Sequence, residues 1–135
     1  MKFLPVTLLM LAATLLSSAT AVELMPVEDV KPGMKGYGLS VLSGNTVEHF
    51  DVEIIDVMYN VSPNSDMILC RCTGQGLEES SIIAGMSGSP VYIDGKLVGA
   101  VAYGWNFSKE PIGGITPIHE MVAVWDMPRS GSPGT

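Results

Sequence analysis

The chain is poor in positive charge: 7 Lys and Arg stand against 14 Asp and Glu in 135 residues, giving a net charge of −7 and a pI near 4.5. With no basic surplus to release counterions from phosphates, the composition argues against a nucleic acid or an anionic lipid surface as partner. Cysteine is limited to Cys70 and Cys72. Two apart on a strand, they point to one face, and a bond between them would be strained. No histidine or second cysteine pair stands at ligand spacing, so they read as small buried thiols, and neither metal nor cofactor is expected. Histidine is as scarce, with only His49 and His119. The length leaves room for one ordinary domain and excludes a second, and a 47% hydrophobic content excludes a disordered chain.

Long apolar runs are missing except near the start, where Leu8 to Leu16 follow Lys2 and precede Ser17-Ser18-Ala19-Thr20-Ala21. The run is well short of the roughly 20 residues that span a bilayer. With small residues after it, it reads as a secretory signal peptide over residues 1–21, cut after Ala21. The expectation is an exported chain, periplasmic or extracellular, with no membrane span once the signal is removed. A domain over 22–127 follows, and the Ser, Gly and Pro of 128–135 read as a flexible tail or linker. All 15 glycines fall after the signal.

No amphipathic helical periodicity appears before the C-terminal end, and turn signals recur every ten or so residues, the pattern of an all-β domain. Gly36 to Leu42 reads as a first strand stopping at Ser43-Gly44-Asn45. In its partner, Phe50, Val52 and Ile54 alternate with His49, Asp51 and Glu53, and then Ile55 and Val57 change parity, which predicts a bulge or a second buried face. A loop over 60–65 leads to a third strand, Asp66 to Cys72, ended by Thr73-Gly74-Gln75-Gly76. Residues 77–84 are ambiguous. Val91-Tyr92-Ile93 and Lys96 to Gly104 form a hairpin about the Asp94-Gly95 turn.

Gly85-Met86-Ser87-Gly88-Ser89-Pro90 opens that hairpin. Glycines on both sides of a serine allow a tight turn that exposes the hydroxyl and aims neighbouring N–H groups at one point, an arrangement able to bind an oxyanion. The same six residues can also be a turn with no chemistry, and short motifs misfire often.

GMSGSP followed by VYIDGKLVGAVAYGW resembles the nucleophile segment of trypsin-like serine peptidases, GDSGGP with its following hairpin. Asp66 to Arg71 is similar to the stretch that carries the triad aspartate in chymotrypsin-fold enzymes, and residues 44–72 resemble the preceding hairpin of periplasmic Deg-type proteases. Gly113 to Ile118 and 119–125 resemble the last strand and the C-terminal helix. With the MPVEDVKPGMKGYG opening, the likeness is to the sporulation factor IV B (SpoIVB) peptidase family over about residues 25–122.

The resemblance implies an all-β, chymotrypsin/trypsin-like barrel with one short C-terminal helix, complete or in part. It also implies a serine endopeptidase acting on a peptide or protein substrate. Ser87 matches the nucleophile, and the N–H groups of Gly85 and Ser87 would bind the oxyanion. Ala102, Tyr103 and Gly104 match the strand on which an extended substrate pairs, with Gly114 lining the specificity pocket beside it. Ser89 matches a turn glycine and is no second nucleophile. Asp66 is a candidate for the acid that orients a histidine, and equally a strand-opening residue that caps the preceding loop. The family's base lies in a Gly-His segment that this chain lacks, His49 falls on the solvent face of its strand, and His119 starts the terminal helix. The alternative is therefore a peptide-binding module without catalysis, or a fragment of a longer peptidase; a further one is a structural domain in which GMSGSP is only a turn.

Overall fold

The computed structural model describes residues 20–80, 84–105 and 109–126. The expected signal peptide lies outside the described residues apart from Thr20 and Ala21, and the expected tail lies wholly outside them. No helix among the described residues is long and apolar enough to cross a membrane.

Six antiparallel strands close into one barrel: β1 (Lys35–Ser40), β2 (Glu48–Ser62), β3 (Ser65–Thr73), β4 (Pro90–Ile93), β5 (Lys96–Gly104) and β6 (Ile112–Pro117). Around the ring the order is β1-β2-β3-β6-β5-β4. A four-residue helix, α1 (Leu77–Ser80), follows β3, and α2 (Ile118–Trp125) follows β6 and packs against β5 and β6. The fold is thus the all-β barrel with a short terminal helix that the sequence predicts.

Alternation places the core. Phe50, Val52 and Ile54 of β2, Ile68, Cys70 and Cys72 of β3, Val91 and Ile93 of β4, Val98 and Val101 of β5, and Ile115 of β6 are buried, whereas His49 and Asp51 are exposed. The bulge stands where parity breaks: Ile54 pairs with Cys70 and Asp56 with Leu69, leaving Ile55 as the extra residue. Asp94 and Gly95 both take positive φ, 51° and 74°, as a two-residue hairpin turn of matching twist requires. One mouth of the barrel is filled by the segment before β1, whose Met25, Val27 and Val30 are buried. That segment is held by Met25 N–H donating to Leu97 O at 2.9 Å and Leu97 N–H donating to Glu23 O at 2.8 Å.

The structure corrects two boundaries: β1 ends at Ser40 rather than Leu42, and β2 runs on to Ser62 where a loop was expected; in the ambiguous stretch, residues 77–80 form α1. The β2–β3 hairpin therefore turns tightly, with Ser62 opposite Ser65 and Asn64 at φ 58°.

Closure requires glycine. β1 pairs with β4 through Tyr37 opposite Tyr92 and Gly38 opposite Val91. A Cβ on Gly38 would collide with the far end of the Phe50 ring, which fills the space the missing side chain leaves. Gly38→Ala is expected to displace Phe50 and cost about 1–3 kcal/mol or more of stability; a denaturant unfolding midpoint equal to that of the wild type would contradict this packing. The thiols give a second test. Cys70 and Cys72 are free and buried with Sγ atoms 3.8 Å apart, and Cys70 also donates to Gly113 O at 3.4 Å. Hydrogen bonding with Cys72, reinforced by burial, pushes the Cys70 thiol far above its ordinary range, so it stays protonated and inert. Native protein is expected to resist iodoacetamide, with both thiols alkylated after unfolding, as read by intact mass.

Candidate active site

The serine segment lies at the mouth of the barrel where β4 begins and β1 ends. A 3-10 turn over Ala84–Met86 leads into Ser87, and Gly88 takes φ 87°, a conformation that a side chain would strain. Two backbone bonds then tie the segment to β5: Gly88 N–H donates to Val101 O at 2.7 Å, and Val101 N–H donates to Ser89 O at 2.9 Å. Met86 is fully buried and anchors the turn from below, while Gly85 and Ser87 are exposed. The segment thus fixes a serine on the surface between two residues held in place. Among the described residues, the Ser87 hydroxyl has no hydrogen-bond partner.

Ser89 has the opposite environment. It is 7% exposed, and its hydroxyl donates to Ser40 Oγ at 2.9 Å across the β4–β1 junction. The two serines of the motif are separated by burial: one presents its hydroxyl, and the other stitches the barrel shut.

The structure gathers most of the sequence-derived site residues at one corner. Because Gly88 and Val101 are bonded, Ser87 and Ala102 each stand one residue from that bond. β5 pairs with β4 as far as Ala100, and beyond the bonds to the serine segment Ala102, Tyr103 and Gly104 have no strand partner on the β4 side among the described residues. On the other side Tyr103 pairs with Gly114 and Gly104 with Gly113, with a bulge between Val101 and Tyr103. Gly114 is buried beneath neighbours. A Cβ there would lie 3.1 Å from Tyr103 Cβ and 2.9 Å from Met67 Sδ, so these two side chains occupy the space beside it.

Asp66 is not brought to this corner. It opens β3, which stands three strands from β4 in the six-strand ring and runs antiparallel to it, so Asp66 sits at the opposite mouth. Its carboxylate accepts the Asn60 N–H at 2.9 Å, steadying a residue at φ 55°, and its own N–H donates to Glu120. This is the loop-capping arrangement, one of the two readings the sequence leaves open. His119 lies at that far mouth too, on α2, and with Asp66 and Glu120 it places ligand atoms within 4.8 Å of one another. Both carboxylates already accept backbone N–H groups. His49 is at the near mouth, on β2 opposite Leu39, with its ring stacked on Tyr37 at 5.2 Å. Two strand spacings, about 10 Å, separate β2 from β4.

One residue of the site carries no signal in the sequence: Ser40, whose role depends on a pairing with a segment 49 positions away. Ser89→Ala is expected to leave the Ser40 hydroxyl buried without a partner, at a cost of about 1–3 kcal/mol. Ser87→Ala should change stability by no more than about 0.5 kcal/mol. Urea unfolding of both variants checks the contrast, and equal midpoints would contradict the assignment of the two serines.

The comparisons bear on what this corner is for. No curated protein and no solved structure matches the chain. The family model described as SpoIVB peptidase S55 does match it, over residues 12–122, a span that contains the whole barrel and the serine segment. With the barrel, the exposed motif serine and that match in agreement, the chain belongs to the SpoIVB peptidase S55 family.

Proposed function

We propose that this member of a peptidase family, whose substrates are proteins or peptides, is an exported serine endopeptidase domain with Ser87 as its nucleophile. The observation that carries the reading is Ser87 itself, exposed and, among the described residues, unpartnered, on a segment clamped by the Gly88–Val101 bond and next to an edge of β5 that no described strand covers. Export to the periplasm or beyond rests on the composition of residues 1–21, with the domain taken as 22–127 and a linker after it.

In this reading an extended substrate adds a strand to Ala102-Tyr103-Gly104. Main-chain hydrogen bonds supply affinity, and Gly114 with its cover of Tyr103 forms the wall beside the residue before the scissile bond. Ser87 Oγ attacks the carbonyl carbon, its proton passes to a general base, and the carbonyl electrons become an oxyanion held by the N–H groups of Gly85 and Ser87. In a 3-10 turn, N–H groups are directed to carbonyls three residues earlier. The oxyanion site is therefore assembled by turning the peptide before Gly85. The proton returns to the departing amine, and water releases the acyl group from Ser87.

Neither histidine stands beside Ser87: His119 is at the far mouth, and the His49 ring is packed on Tyr37. Asp66 enters this scheme as the cap of the β2–β3 turn rather than as the acid.

The test is covalent labelling by a fluorophosphonate probe read by intact mass. One adduct, absent in Ser87→Ala, is the expected result. His49→Ala and His119→Ala should each retain it. No adduct on folded protein would mean that the chain alone is not a working peptidase, and would favour the peptide-binding alternative.

A further inference from the structure

Ser87 stands between two unlike surfaces. Toward β5 lies the open strand edge. Toward β1 lies a depression of about 440 Å³ walled by Leu39, Val41, Val47 and Pro90, with Ser87 and Gly88 forming its near side. Among the described residues no charged side chain lines it, and the two buried hydroxyls in its wall, those of Ser40 and Ser89, are bonded to each other.

Two of the walls are unusual for their place in the chain. Val41 and Val47 flank the polar turn Ser43-Gly44-Asn45-Thr46 and are 48% and 60% exposed. Neither joins the core, so the barrel gains little from their being aliphatic. Together with Leu39 and Pro90, which lie side by side on the outer faces of β1 and β4, they make an apolar cup whose rim includes the proposed nucleophile.

The path of a substrate connects the two surfaces. A peptide whose first half pairs with Ala102 to Gly104 and whose carbonyl meets Ser87 continues across the serine segment toward β1. An extended chain advances about 3.3 Å per residue, and neighbouring strands are about 4.8 Å apart. One or two residues past the scissile bond therefore carry it over the cup. We propose that the cup is a leaving-side subsite, which selects substrates with an aliphatic or aromatic side chain at the first or second position after the scissile bond. The inference rests on the reading of Ser87 as nucleophile and adds the part of the substrate that reading leaves unassigned.

The probes are leaving-half mimics, Leu-Leu-amide against Gly-Gly-amide and Asp-Asp-amide, titrated into the isotope-labelled full chain and followed by amide NMR shifts. Leu-Leu-amide is expected to shift Leu39, Val41, Val47 and Ser87 and to saturate at a concentration at least tenfold below that of the other two. Val47→Asp is expected to abolish that preference while leaving the melting temperature unchanged, since the residue is mostly exposed; Val41→Asp serves as a second variant should Val47→Asp unfold. Saturation no tighter than that of Gly-Gly-amide, or a preference that survives both substitutions, would overturn the subsite. Fluorophosphonate labelling of the same samples separates this from the parent reading. Labelling at Ser87 without an aliphatic preference removes the subsite alone, and a preference without labelling overturns its assignment to a leaving group.

Discussion

The junction of β1 with β4 is the constraint on which the molecule turns. Two opposed residue pairs and one buried hydroxyl bond, Ser89 to Ser40, join the first strand to the fourth. That narrow seam converts a curved sheet into a closed barrel and removes the edges an open sheet would expose there. It works only because Gly38 gives its side-chain space to Phe50, so the largest core residue and the closing contact occupy the same place. Closure also makes the functional corner. It draws the end of β1 and the turn after it up against the serine segment, which is also bonded to β5.

The GMSGSP segment shows how few residues are needed to separate structure from chemistry. Its buried members, Met86 and Ser89, hold position, while its exposed members, Gly85 and Ser87, face solvent. Gly88 takes the backbone conformation that lets this alternate burial happen over five residues. The Gly88 N–H and the Ser89 carbonyl are tied to Val101, so the loop is registered against the strand that would receive a substrate.

Much of the barrel was legible in local patterns. The alternation of Phe50, Val52 and Ile54, the parity change at Ile55 and the Asp94-Gly95 turn each depend on neighbours within a few residues, and each stands in the structure where the pattern put it. The far arm of β2 was not legible, because Met58, Tyr59, Asn60 and Val61 are all exposed and show no alternation to mark a strand. The companion of Ser40 and the apolar cup were hidden for another reason, being made by segments some forty to fifty positions apart. Asp66 was ambiguous because a capping carboxylate and a catalytic one look alike until their surroundings are known. Here its carboxylate accepts the Asn60 N–H and its own N–H donates to Glu120, both at the far mouth.

The side of Ala102 to Gly104 that no described strand covers has a cost that belongs to crowded solutions rather than to single molecules. Backbone N–H and C=O groups in a strand edge accept any extended chain, without regard to its source. A second copy, or a stretch of partly unfolded protein, that lays a strand there occupies the place where a substrate would bind. Self-association through this edge and peptide capture are therefore mutually exclusive, and dilution alone shifts the balance between them. The short bulge at Ala102, which twists the strand away from a flat template, is the local feature that disfavours such stacking.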